Sequence, residues 1–247
     1  MPKKISLLAV AALMVIGMLK LGVWQLNRAD HKMAILSQLQ QGAAEKPVDL
    51  SALVTSSGLN LSTERFRAVK IVGSYASDKS VYIDNQVLGS QVGYTLLTPF
   101  RLSNSDWWVL VDRGWLPVGV DRGVLPQFIT QSGEHGLIGR LNTLPSIPPL
   151  WNDKYPAATG KVWQYLPIEE FSQKMGLKVL PLVVELAPDQ ASEIDKVLIR
   201  QWSGIDDSWV AKHKAYAFQW FAMAAAFFIA CCVLLYRSSP IKQSTQL

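Results

Sequence analysis

Residues 212–236 read Lys-His-Lys-Ala-Tyr-Ala-Phe-Gln-Trp-Phe-Ala-Met-Ala-Ala-Ala-Phe-Phe-Ile-Ala-Cys-Cys-Val-Leu-Leu-Tyr. Residues 215–236 carry no charge, and Gln219 is their one strongly polar side chain. A helix over these residues would be about 33 Å long, which is enough to cross a hydrocarbon core of about 30 Å. A soluble helix of this length normally has a polar face. The sequence therefore predicts a transmembrane helix over residues 215–236.

A second apolar run occupies residues 5–26, directly after the basic pair Lys3 and Lys4. A basic start followed by an apolar stretch is also the pattern of a secretory signal peptide. The run is at the long limit for such a peptide, and no Ala-x-Ala-like cleavage site follows it. We therefore predict an uncleaved transmembrane helix over residues 5–26, with a helical extension through residues 27–41.

The segment between the two runs, residues 27–214, is long enough for one domain with a sizeable core. Strand-like stretches dominate it, and residues 107–115 form the clearest of them. One short helix is predicted at residues 168–175, because Pro167 precedes it and Gly176 follows it. Since strands mostly follow strands, we predict an α+β membrane protein in which two terminal transmembrane helices flank one mainly antiparallel, β-rich domain.

Three local predictions concern the edges of these elements. Residues 42–60 are rich in small and polar residues and are expected to form a linker with a short turn near residues 48–53. A strand that begins at Val92 is expected to close at Pro99, since proline cannot donate to a strand ladder. Residues 196–202 are expected to form the last strand.

The formal net charge of +5 arises at the membrane flanks. All 19 acidic residues lie in the middle segment, where an equal number of basic residues balances them. Nucleic acid therefore has no basic domain to bind. The basic residues at the two ends of each apolar run nearly match, so charge alone does not decide the orientation in the membrane.

The two cysteines, Cys231 and Cys232, both lie in the second apolar run. The middle segment therefore has no disulfide, no thiolate metal site and no Cys-x-x-Cys redox pair. It also lacks a Gly-x-Ser-x-Gly elbow, a phosphate-binding glycine loop and a His-Glu-x-x-His pair. Among the histidines, His135 is expected in a solvated turn and His31 on the exposed side of the first helix. No catalytic set is apparent, and we predict that the protein is not an enzyme.

A cationic and aromatic stripe marks the end of the first apolar run. Lys20, Trp24, Arg28 and Lys32 follow each other at a spacing of four residues, which places them on one helix face. One interpretation is an interfacial belt, with the tryptophan at headgroup depth. The other is a docking face for an anionic group or a partner helix.

His213 lies at the mouth of the second apolar helix. Tyr216 and Trp220 follow it at i+3 and i+7 and therefore share its face. Neutral imidazole is the commonest protein ligand of metals and a usual axial ligand of haem iron. The two aromatic rings would suit a flat apolar macrocycle, and the nearby Lys212, Lys214 and Arg28 could pair with its propionates. A lone histidine beside aromatic residues at a bilayer surface is also common without any ligand role.

Three segments in this order resemble one protein family. They are Gly-Val-Trp-Gln-Leu-Asn-Arg at residues 22–28, Val-Leu-Val-Asp-Arg-Gly-Trp-Leu-Pro at residues 109–117, and His-Lys-Ala-Tyr-Ala-Phe-Gln-Trp-Phe at residues 213–221. With two anchors flanking a long domain, the whole chain resembles the surfeit-locus-one family, whose members are biogenesis factors of haem-copper cytochrome c oxidase. The chain departs from the family pattern at Asp112, where we expect a residue such as Asn in many relatives.

The resemblance implies a multi-pass protein of the bacterial inner membrane. Residues 1–4 and 237–247 would be cytoplasmic, and residues 27–214 would form a periplasmic, extracytoplasmic domain. It implies a chaperone-like role in the respiratory chain: placing haem a, bound transiently, into oxidase subunit I beside haem a synthase. His213 would be the candidate axial ligand, with Tyr216 and Trp220 at the haem. The remaining motif residues would have structural or partner-binding roles: Trp24, Gln25, Arg28, Arg113, Gly114 and Trp115.

An alternative function uses the same architecture without a cofactor. In it the protein is a membrane-tethered interaction module that stabilises oxidase assembly intermediates. A copper chaperone is disfavoured because paired thiolates are missing from the middle segment, and a membrane hydrolase is disfavoured because no nucleophile–base pair is evident.

Overall fold

The computed structural model of the chain describes residues 2–56, 64–144, 158–190, 197–201 and 207–237. The chain divides into two compact units. One comprises Met1–Ser37 with Ile205–Leu247 and holds most of the two long helices, and the other is the β-rich unit Gln38–Gly204.

The two long helices are α1, Pro2–Ala44, and α4, Asp207–Arg237. Each contains a stretch that is long and apolar enough to cross a membrane, Ser6–Ala44 and Ser208–Arg237. Only 6% of each apolar window is buried by the protein itself. A core helix of a soluble protein would bury most of such a window, so the exposed apolar side chains favour contact with lipid. The helix α1 continues without a break from the apolar run through its polar extension.

Within the described residues, the β-rich unit contains nine strands and two short α-helices. In chain order the elements are β1 Val48–Asp49, α2 Leu50–Ser56, β2 Ala68–Tyr75, β3 Val81–Leu88, β4 Gln91–Leu102, β5 Trp108–Pro117, β6 His135–Asn142, β7 Ala158–Thr159, β8 Val162–Trp163, α3 Ile168–Met175 and β9 Val179–Leu186, with 3-10 turns at Ser77–Lys79 and Pro188–Gln190.

Five strands close into a barrel in the order β2-β6-β9-β5-β4, because β4 pairs back onto β2. The pair β5–β9 is parallel and the other four pairs of the ring are antiparallel. The long strand β4 makes closure possible: its first part pairs with β3 and its last part pairs with β2. Strand β1 pairs alongside β2. On the other side of the sheet, β8 pairs alongside β3, and β7 pairs alongside β8. The predicted architecture of two apolar terminal helices around a mainly antiparallel, β-rich domain is confirmed.

Alternate residues of the ring fill the barrel interior, as the two-residue period of a strand requires. The interior cluster is Leu50, Val69, Ile71, Phe100, Leu102, Val109, Val111, Leu141, Leu180, Leu182, Val184 and Leu186. Strand β9 is buried on both faces, because Val179 and Val183 belong to a second cluster outside the ring. In that cluster Phe171 of α3 stacks edge-on against Trp163 at 5.7 Å between ring centroids. The helix α3 runs from Ile168 to Met175, between Pro167 and Gly176, as predicted, and Gly176 caps it with a left-handed φ of 64°.

Three local predictions are corrected by the structure. Residues 42–60 were expected to be a linker, but within them β1 and α2 are regular elements, and the side chain of Leu50 is fully buried in the barrel. The Asp49 carboxylate accepts the Ser51 N–H at 2.8 Å and so stabilises the start of α2.

Strand β4 does not close at Pro99 but continues to Leu102. Its pairing with β3 stops at Leu97, and its pairing with β2 starts at Phe100. Pro99 therefore lies where β4 changes partners, and its missing N–H removes no ladder bond on that side.

The last strand expected over residues 196–202 is also absent from its described part, residues 197–201. A single antiparallel bridge joins Ile199 to Trp115, through N–H···O bonds of 2.8 and 2.9 Å. The regular pairing of β5 with β9 ends at Asp112. A bulge follows directly in β5, and beyond it the described chain near Ile199 forms a single backbone bridge to β5, at Trp115.

Candidate functional site

The helices α1 and α4 pack against each other within their unit, and small residues lie at the contact. A side-chain carbon added at Gly22 would stand 2.5 Å from the ring of Phe221. Ala29, Ala217 and Ala224 are at most 2% exposed. Small residues at such positions allow two membrane helices to approach closely. The contacts run in opposite directions along the two helices, so the pair is antiparallel.

His213 lies in this helix pair and is hydrogen-bonded across it. Its Nδ1 is 2.7 Å from the Oε1 of Gln25 on α1. An amide oxygen has no hydrogen to give, so a hydrogen bond between these two atoms requires Nδ1 to be the donor. In a neutral imidazole Nε2 then keeps its lone pair, which is the form that binds a metal. The His213 side chain is partly exposed.

The two aromatic residues predicted to share the face of His213 differ in their exposure to solvent. Tyr216 is 52% exposed, whereas Trp220 is partly buried. Of the stripe on α1, Trp24 is 56% exposed and Arg28 is exposed as well. Gln25, to which the sequence assigned a structural or partner-binding role, instead contacts His213 through the hydrogen bond described above.

A tryptophan that the sequence analysis did not single out lies one turn before His213. The ammonium groups of Lys32 and Lys212 each lie 5.6 Å from the ring centroid of Trp209. Each ammonium group is attracted separately to the ring quadrupole, which holds two positive charges at one place despite their mutual repulsion. The available signal was the spacing of three residues between Trp209 and Lys212 on one helix face. This cluster places positive charge beside the entrance of α4.

The described residues contain no group of three or more His, Cys, Asp or Glu that could hold a bare metal ion. The exposed His31 and the partly buried His135 are separate from His213. His135 is the first residue of β6, rather than part of a turn, and its Nε2 lies 3.3 Å from the Gln131 carbonyl. Cys231 and Cys232 are free thiols in α4.

The motif of Arg113, Gly114 and Trp115 forms a bulge in β5 of the β-rich unit. Leu97 pairs with Asp112 and Leu96 pairs with Gly114, so Arg113 is the extra residue. Its side chain is 1% exposed and donates to Thr130 Oγ1 at 2.6 Å and to the Ile129 carbonyl at 2.9 Å. The φ of Gly114 is +135°, which a residue with a side chain rarely adopts. Trp115 donates its Nε1–H to the Gln86 carbonyl at 2.9 Å.

The carboxyl group of Asp112, beside this bulge, is held in an unfavourable environment. Burial raises its pKa well above the usual range, and the neighbouring Glu185 carboxylate raises it further. The Gly114 N–H at 3.1 Å and the guanidinium groups of Arg200 and Arg140 act in the opposite direction and are outweighed.

Asp112→Asn is expected to stabilise the β-rich unit, because Asn can still accept the Gly114 N–H without burying a charge. The folded state binds the Asp112 proton more tightly than the unfolded state does, so wild-type stability falls as pH rises from about 4 toward the raised pKa. The gain from Asp112→Asn should therefore be small near pH 4 and largest above that pKa. Thermal unfolding of the full chain in detergent at several pH values measures it, with the exposed Asp106→Asn as control. An equal gain at all pH values would contradict the titration argument.

A sequence model described as the SURF1 family matches residues 12–225. The chain belongs to the SURF1 family. The matched range includes the Gln25–His213 contact, the bulge at Arg113 and the whole β-rich unit, so the family assignment made from three sequence segments is confirmed.

Individual members of the SURF1 family match over much of the chain. The chain is 30% identical over 224 residues to a SURF1-like protein of Rickettsia bellii (strain RML369-C), covering 88% of this chain and 83% of the relative. It is 22% identical over 232 residues to Surfeit locus protein 1 of Xenopus tropicalis, covering 83% and 68% respectively. Surfeit locus protein 1 of Homo sapiens is 23% identical over 171 residues, covering 63% and 55%.

Proposed function

We propose that this chain is a non-enzymatic assembly factor for haem-copper cytochrome c oxidase, and that it holds haem a transiently during insertion into subunit I. The observation that carries the proposal is the position of the His213 imidazole, whose Nδ1 lies 2.7 Å from the Oε1 of Gln25, because this contact leaves Nε2 available to bind iron. Membership of the SURF1 family supports the oxidase as the recipient. Haem a synthase would be the source of the cargo.

The donor set of the helix pair fits haem better than a bare metal ion. A porphyrin supplies four equatorial nitrogens, so one protein imidazole is enough to hold the iron. A bare ion needs three or four protein ligands, and the described residues provide no such group. Trp220, which is partly exposed and lies two turns after His213 on the same helix face, offers an apolar ring surface for a macrocycle.

The positive charges near His213 suit the propionate groups of haem. Lys32 and Lys212 lie against the Trp209 ring. Lys214, the residue that follows His213 in the chain, is exposed. Carboxylates form charge-assisted hydrogen bonds with ammonium groups. We infer that these lysines bind the haem propionates while the macrocycle contacts the apolar part of α4.

In the membrane, we place both termini in the cytoplasm and the β-rich unit in the periplasm of a bacterial cell. Two spans put the termini on one side, and the arrangement brings His213 to the outer edge of the bilayer. A topology reporter fused after residue 214 should be active in its periplasmic form. A cytoplasmic signal there would contradict the proposed site.

The test is the absorption spectrum of the full chain purified from cells that make haem a. Wild type is expected to show a Soret band, and His213→Ala is expected to lower that band to background because the axial ligand is lost. His31→Ala is the matched control, since it removes an exposed histidine of α1. Absence of haem from wild type, or an equal amount of haem in His213→Ala, would overturn the ligand role.

The exposed stripe on α1 favours a second candidate function, a tethered interaction module without a cofactor. Trp24 is 56% exposed and Arg28 is exposed on the same face, which suits docking of a partner helix. The yield and haem content of oxidase from strains carrying each variant distinguish the two functions. Selective loss of haem a from subunit I in His213→Ala supports the first function. Normal oxidase in His213→Ala together with loss of subunit I in Arg28→Ala supports the second.

A further inference from the structure

The group that holds His213 is a neutral amide from the other helix. Gln25 is partly buried on α1, and its Oε1 lies 2.7 Å from Nδ1 of His213. Carboxylates and backbone carbonyls are frequent partners of ligating histidines in proteins. The described residues place no carboxylate in this position, so the amide of Gln25 sets the chemistry of the ring.

The amide fixes which ring nitrogen is available. Free neutral histidine prefers to carry its proton on Nε2, which blocks the nitrogen that reaches farthest from the helix backbone. The Gln25 oxygen accepts a hydrogen bond from the Nδ1–H group and so favours the opposite tautomer. The lone pair is thereby moved to Nε2 before any ligand arrives.

We propose that Gln25 is a positioning residue that holds His213 as the Nδ1–H tautomer and makes its Nε2 a weak, exchangeable axial ligand. The inference rests on the proposed function, in which His213 ligates haem. A carboxylate partner would accept a stronger hydrogen bond from Nδ1–H and so raise the basicity of Nε2, the ligating nitrogen. An amide oxygen accepts a weaker hydrogen bond, which leaves an imidazole that can bind haem iron and still release the haem to a recipient.

The tautomer can be measured without haem. The chain has three histidines, so ¹⁵N-histidine labelling of the full chain in detergent gives three ring systems, and the one missing from His213→Ala identifies His213. We expect a protonated Nδ1 and an unprotonated Nε2 in wild type, and a shift of the proton toward Nε2 in Gln25→Leu. An Nε2–H tautomer in wild type, or a spectrum unchanged by Gln25→Leu, would overturn the inference. Leucine suits a spanning helix, so this variant keeps the helix pair in the membrane.

The effect on ligation is measured with hemin as the probe. Gln25→Leu should weaken hemin binding by about 10- to 100-fold, the usual effect of removing the partner of a ligating histidine. Gln25→Glu should bind hemin more tightly and release it more slowly to apomyoglobin. Gln219→Leu is the matched control, because it removes an exposed glutamine from α4.

The outcomes separate the two claims. If His213→Ala binds hemin as wild type does, the proposed function fails, whatever the tautomer. If hemin binding requires His213 but Gln25→Leu and Gln25→Glu bind and release hemin as wild type does, the proposed function stands and the positioning role of Gln25 is wrong.

Discussion

Gly73→Ala is expected to open the barrel and to lower the melting temperature of the β-rich unit by about 6–12 °C. Gly73 pairs with two strands at once, with His135 of β6 on one side and Leu102 of β4 on the other. A methyl carbon at this position would stand 1.8 Å from the Arg101 carbonyl oxygen and 2.8 Å from the Phe100 ring. The first neighbour is backbone within the pairing that closes the ring, so it cannot move aside without breaking that pairing.

The size of this effect follows from the cost of overpacking. Extra atoms in a packed core cost about 1–3 kcal/mol, and more where backbone must shift. At about 3 kcal/mol, a unit of this length loses about 2–4 °C for each kcal/mol. Thermal unfolding followed by circular dichroism in detergent measures the change.

Gly136→Ala is the control, because it lies on the neighbouring strand β6 and a methyl group there meets no atom within 4 Å. We expect its melting temperature to stay close to that of wild type. If the two variants had the same melting temperature, the argument that a methyl group at Gly73 clashes with the strand pairing that closes the barrel would be wrong.

The long helices and the main strands could be predicted from the sequence, but the closure of the barrel could not. Hydrophobic alternation predicted a strand at residues 107–115, and the apolar runs predicted both long helices. Closure depends on one edge of β4 pairing first with β3 and then with β2, and no local pattern shows which strand meets the far end of β4. Pro99 suggested the opposite, because the rule that proline ends a strand assumes that a single partner continues past it.

In the candidate site, likewise, the residues could be identified from the sequence but their contacts could not. The position of His213 at the mouth of an apolar helix singled it out, and a motif singled out Gln25. Their contact joins residues 188 positions apart in the chain. It depends on the antiparallel packing of two helices, which hydropathy does not specify. The family resemblance marked Arg113 as a structural or partner-binding residue, but its burial could not be predicted, because a charged residue in a strand is expected to face solvent until a bulge turns it inward.

Arg113→Ala is expected to destabilise the β-rich unit by about 3–5 kcal/mol. The guanidinium group lies 5.1 Å from the ring centroid of Tyr75 and 5.3 Å from that of Phe128. A buried cation over an aromatic ring is worth about 2 kcal/mol when desolvated. A hydrogen bond from a charged donor adds about 1.5–3 kcal/mol, and Arg113 donates to both Thr130 and the Ile129 carbonyl. Alanine also leaves a cavity and a buried carbonyl without its donor.

Two further variants separate the geometry of Arg113 from its charge. Arg113→Lys keeps the charge, but an ammonium group cannot reproduce the planar fork that donates to Thr130 and Ile129 while stacking on the rings. It should therefore recover only part of the lost stability. Arg101→Ala removes an exposed arginine of β4 and should change the stability by about 0.5 kcal/mol or less. Denaturant unfolding of the three variants tests this order. If Arg113→Lys were as stable as wild type, charge alone would explain the role of Arg113, and the bulge in β5 would not be needed to aim a fork between two rings.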